Sequence, residues 1–75
     1  MLHTAPKTLQ KTTLNLVPGD LILTGDMFDG FGHYTIVEVK PSEHNKRMAL
    51  VTVRFDHGGT VTTVEGKNTR WSVIL

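Results

Sequence analysis

Turn-forming residues divide nearly all of the chain after residue 16 into segments of strand length. Val17-Pro18-Gly19-Asp20 is a strong turn signal, because proline presets φ and glycine accepts the positive φ that follows. A loop over residues 24–33 carries Gly25, Gly30 and Gly32, and a polar connection runs from Pro41 to Arg47. Asp56-His57-Gly58-Gly59 reads as a tight hairpin turn, and residues 65–69 turn again. No window holds apolar residues at the i, i+3, i+4, i+7 spacing of a helix face. Eleven threonines and seven glycines among 75 residues favour strands and tight turns instead.

Strands are expected at Leu21-Ile22-Leu23, Tyr34 to Lys40, Met48 to Phe55, Thr60 to Val64 and Arg70 to Leu75. An antiparallel meander of about five strands without a covering helix hides its edges best by curling on itself. The expected fold class is therefore all-β, with an SH3-like barrel as first architecture and an OB-like partial barrel as second. Residues 1–13 read as a flexible N-terminal arm and 14–75 as the single barrel domain. At 8.3 kDa there is room for one domain only.

Alternation assigns the faces. Ala49, Val51, Val53 and Phe55 form the inward set of their strand, leaving Met48, Leu50, Thr52 and Arg54 outside. Taking Glu38 and Lys40 as outward places Thr35, Val37 and Val39 inside, with Tyr34 and Ile36 outside. Tyr34, Ile36, Met48 and Leu50 would then make an outer apolar patch. Either the chain itself covers that patch, or it marks a protein interface.

Charge narrows the function classes. Eight Lys and Arg against seven Asp and Glu give a formal net charge of +1, low for a dedicated duplex-DNA binder. Residues 1–39 hold two lysines against four acids, and residues 40–75 hold six bases against three acids. One basic side is expected on the C-terminal half. With no cysteine, neither a disulfide nor a thiolate zinc site can form, which fits a reducing, cytoplasmic setting. No apolar run approaches a membrane span, and Thr, Lys and Pro interrupt the first twenty residues too often for a signal-peptide core.

Catalytic chemistry finds little support. The only serines, Ser42 and Ser72, lie in no nucleophile motif, and Asp56-His57 sits in a glycine-rich turn that favours aspartate on its own account. The Gly25–Gly32 stretch lacks the lysine of a phosphate-binding loop. Asp26, Asp29 and His33 share one loop and could offer ligands to a hard cation or zinc, but solvated turn residues are the simpler reading. The expectation is a non-enzyme with no cofactor, no metal and no small-molecule substrate.

Val17-Pro18-Gly19-Asp20-Leu21-Ile22-Leu23-Thr24-Gly25, followed by Gly30, Gly32 and Tyr34-Thr35-Ile36-Val37-Glu38-Val39, resembles a KOW-type SH3-like barrel over residues 17–40. That resemblance implies binding, without catalysis, to RNA or to the transcription and translation apparatus.

Two binding readings remain. In the first, the chain contacts nucleic acid or a protein of the nucleic-acid machinery. Lys40, Lys46, Arg47 and Arg54 would meet phosphates, and Phe31 and Tyr34 would stack on bases. Phe28 or Phe31 could alternatively plug one end of the barrel, and Trp71 reads as core. In the second, Tyr34, Ile36, Met48 and Leu50 bind a protein partner or a second copy of the chain. A chain of this size without an enzyme motif would suit a phage or plasmid accessory protein.

Overall fold

The computed structural model describes residues 2–75. Six strands make up nearly all of its regular structure: β1 (Thr8–Thr12), β2 (Leu21–Asp26), β3 (Gly30–Pro41), β4 (Met48–Phe55), β5 (Thr60–Gly66) and β6 (Arg70–Ile74). A single 3-10 turn, Thr13–Asn15, follows β1. All pairings are antiparallel, in one sheet ordered β1-β6-β2-β3-β4-β5. The all-β expectation holds, with six strands in an open sheet rather than about five. Among the described residues no helix is long and apolar enough to cross a membrane.

The sixth strand comes from the expected arm. Thr8–Thr12 pairs along its whole length with Arg70–Ile74, and Thr13 is fully buried. Met1 lies outside the described residues. Sequence leaves Thr8 to Leu16 open between a short strand and an extended arm, because Leu9 is the one large apolar residue of β1 and its partner strand is distant in the chain.

The expected loop at 24–33 is mostly hairpin. β2 and β3 stay paired out to Asp26 and Gly30, which leaves only Met27, Phe28 and Asp29 as the turn. Gly25 makes this possible: its φ is +84°, and a side chain there would run into the Gly30 carbonyl oxygen. One carboxylate oxygen of Asp26 accepts the Phe28 and Asp29 N–H groups, both at 2.8 Å. These bonds hold the Asp26 carboxyl below its ordinary pKa against a smaller opposing effect of burial.

A β-bulge corrects the facing of β3. Ile36 pairs with Val53 and Glu38 with Thr52, so Val37 is an extra residue between them. The inward phase shifts across it. Tyr34 and Ile36 face the core before the bulge and Val39 after it, while Val37 is 40% exposed. Ile36, expected outside, is 1% exposed. Counting back from Glu38 and Lys40 by strict alternation fails because one residue was inserted on the way. On β4, which carries no bulge, Ala49, Val51 and Val53 are buried as the alternation predicts.

The sheet must curl. β5 and β6 stand four positions apart, about 19 Å in a flat sheet at ~4.8 Å per strand. Only residues 67–69 join them, and the path from Gly66 to Arg70 spans at most about 14 Å. Curling creates a concave face, filled by Leu16, Ile22, Ile36, Val51, Val53 and Val73. Leu16 arrives there from the 3-10 turn. Thr13 anchors that turn: its hydroxyl donates to the Gly66 carbonyl at 2.6 Å and accepts from Trp71 Nε1 at 2.8 Å. Its N–H reaches the Thr69 carbonyl at 3.1 Å. One buried threonine thus ties the start of the fold to the β5–β6 connection.

Asp20 secures the neighbouring turn. Its carboxylate accepts from the Val17 N–H and pairs with Lys11 Nζ, each at 3.0 Å. Burial pushes the Asp20 pKa up. The Val17 bond and the Lys11 ammonium together outweigh it and hold the carboxyl below its ordinary value.

Candidate functional site

Facing inverts along each strand, so the residues singled out from sequence distribute over two surfaces. Phe31 and Tyr34 lie three residues apart on a regular stretch of β3 and therefore point to opposite faces. Tyr34 lies against the concave core, and its ring meets Phe55 edge-on with centroids 6.1 Å apart. Arg54, paired with Thr35, and Lys40, paired with Leu50, are exposed on the convex face. Glu38 stands between them along β3 and pairs with Lys40 at 3.1 Å. These bases do not form an uninterrupted track.

The convex face holds an aliphatic cleft of about 610 Å³ at the β3–β4 hairpin. Its floor is Met48, Leu50 and Val64, with Leu50 37% and Val64 58% exposed. Leu50 and Val64 sit directly opposite each other on β4 and β5, which puts both side chains on one face. Residues 41–45 form the wall. That wall is internally bonded: Ser42 Oγ accepts the His44 and Asn45 N–H groups, and Asn45 Oδ1 accepts that of Arg47. Two backbone bonds, Ser42 N–H to the Met48 carbonyl and Met48 N–H to the Asn45 carbonyl, close the hairpin.

Lys40 and Glu43 are the charged residues that line this cleft. Lys46 and Arg47 follow the wall in the connection to β4, outside the lining itself, and the Lys67 N–H donates to the Arg47 carbonyl at 2.9 Å. Met48 and Leu50 were legible as outward residues. Val64 was not, since it reaches the site through pairing between strands rather than through proximity in sequence.

The concave face opens near β5 into a second cleft of about 240 Å³, lined by Tyr34, Phe55, Trp71 and Glu65 together with β5 residues Val61 and Thr63. The Phe55 ring also stacks on His57, with centroids 5.4 Å apart. Burial, and then the negative charge of Glu65, raises the Tyr34 phenol above its ordinary 10.0. Trp71, expected in the core, packs against it with one part of its ring system and lines this cleft with another.

Two of the three possible metal ligands, Asp26 and His33, have other partners. Asp26 caps its turn, and His33 Nε2 lies 3.3 Å from an Asp56 carboxylate oxygen. Among the described residues no three His, Cys, Asp or Glu side chains come together as a metal site. Comparison with protein-family models, with curated proteins and with solved structures gives no match to this chain.

Proposed function

We propose that this chain is a non-catalytic binding module, an SH3-like small barrel in architecture, whose convex cleft takes an aliphatic side chain of a protein partner. The short β5–β6 connection, which demands a curled sheet, supports the barrel reading. The observation that carries the function is the open floor of Met48, Leu50 and Val64 beside a hydrogen-bonded wall. Leaving such side chains in water costs about 25 cal/mol per Å² of apolar area, which a partner recovers on docking. Lys40 in the lining, with Lys46 and Arg47 next along the chain after the wall, favours a segment with acidic residues flanking its apolar anchor.

Nucleic acid is the second reading, favoured by the run Lys46-Arg47 and by Lys67, whose N–H bonds the Arg47 carbonyl. The floor decides against placing it first. Bases bind sequence-tolerant sites by stacking on aromatic rings, and this floor is aliphatic. Phe31 and Tyr34, the intended stacking pair, face apart.

An amide NMR titration of the whole chain separates the two. A short peptide alternating leucine with aspartate and glutamate should shift Lys40, Met48, Leu50 and Val64, and Leu50→Glu should abolish those shifts. Single-stranded oligonucleotides that instead shift Lys46, Arg47 and Arg54, with an effect fading steeply as salt rises, would sink the protein reading in favour of nucleic acid.

A further inference from the structure

From the concave cleft we infer a second site, distinct from the convex one, that receives the guanidinium of an arginine side chain from a partner peptide. Three aromatic residues and one carboxylate converge there. Tyr34 and Phe55 contribute rings from β3 and β4, Trp71 from β6, and Glu65 its carboxylate from β5. Glu65 stands opposite fully buried Ala49, which places it on the inward side of the sheet with the aromatic residues.

The charge balance of the cleft is incomplete. The ion pairs among the described residues are Lys11–Asp20, His33–Asp56 and Lys40–Glu38, and none involves Glu65. A half-buried carboxylate beside aromatic faces, without its own cation, is complementary to a cation brought from outside. A guanidinium fits both elements. It is planar and stacks on aromatic rings, and its fork of donors engages a carboxylate through two parallel bonds. An ammonium would supply charge without the plane.

The walls are set before any ligand arrives. The Trp71 indole is held by its bond to Thr13 at 2.8 Å, and Tyr34 is braced edge-on against Phe55. Little side-chain freedom remains to be lost on binding, which favours affinity.

Trp71 is the only tryptophan, so its fluorescence reports this cleft alone. The whole chain would be titrated with a glycine-flanked arginine peptide, with its neutral citrulline isostere, and with the lysine and leucine equivalents. The arginine peptide should give a saturable change at millimolar concentration, with amide shifts at Tyr34, Phe55, Glu65 and Trp71. Glu65→Gln, its amide spectrum otherwise unchanged, should weaken binding about tenfold, as expected for losing a charge-assisted bidentate contact. The proposal is overturned if citrulline, lysine or leucine binds as well as arginine, if Glu65→Gln leaves binding unaltered, or if arginine gives no saturable response.

Discussion

β4 and β5 are bonded to each other along seven consecutive pairs, yet one is the most buried strand of the sheet and the other the least. Strand propensity does not explain this. Both are rich in β-branched residues, and Thr60-Val61-Thr62-Thr63-Val64 has as much strand propensity as Met48 to Phe55. The difference lies in what covers them. β4 sits between β3 and β5, and its Val51 and Val53 share the core with Leu16 and Ile36, whereas β5 is an edge whose inward side opens into the aromatic cleft. Propensity makes a strand, and neighbours decide whether it becomes core or surface.

The sharpest way to break this comparison is a pair of matched truncations. Val51→Ala should destabilise by roughly 2–3 kcal/mol, from two buried carbons at ~0.8 kcal/mol each plus the cavity left behind. Val64→Ala, one strand away, should change stability by less than about 0.5 kcal/mol. Urea unfolding of both variants measures the contrast, and equal losses would mean that β5 is covered in solution.

Thr13→Val tests the tie that joins the covered side to the end of β5. It keeps the volume but leaves Trp71 Nε1–H without its acceptor, while the Gly66 carbonyl keeps only the Thr69 N–H, at a cost of about 1–3 kcal/mol. Thermal unfolding with Trp71 fluorescence follows both the loss and its site.

The smallest effect sharpens the open side. Tyr34 is the only tyrosine, and its phenol is raised first by burial and then by Glu65. Glu65→Gln should lower its titration toward, without reaching, the ordinary 10.0, because burial persists. Ultraviolet absorbance at alkaline pH reads this directly. The sign for stability follows: a raised folded pKa means the contribution is complete below pH 10.0 and is lost as pH climbs through the raised value. An unmoved titration in Glu65→Gln would separate Glu65 from the aromatic cleft.

Sequence patterns reveal what depends on local chemistry. The Pro18-Gly19 turn, the Asp56 to Gly59 turn and the inward set Ala49, Val51 and Val53 all lie where composition and alternation place them. What escapes is set by distant partners or by a single inserted residue. Val37 has no signature as a bulge, and it turns Ile36 from a surface residue into the most deeply buried isoleucine. Glycines at 25, 30 and 32 look like loop because glycine usually is loop, but here Gly25 and Gly30 supply the positive φ that lets a hairpin twist tightly. The aromatic cleft gathers Tyr34, Phe55, Glu65 and Trp71 from four strands, and no sequence window contains more than two of them within a turn of each other. For the convex cleft, Met48 and Leu50 were readable from alternation, whereas Val64 required the β4–β5 register.

The strand order also dictates a schedule for making the protein. β2 through β5 form a meander in which every partner is the next strand made, so this part can pair while the chain is still emerging from a ribosome. β1 is made first but pairs only with β6, which is made last and slots between β1 and β2. Until residue 74 has been released, β1 has no neighbour, Thr13 has no Trp71 to meet, and one side of β2 is an open edge. The nascent chain must therefore hold β1 in waiting, and the sheet is completed only once β6 has emerged.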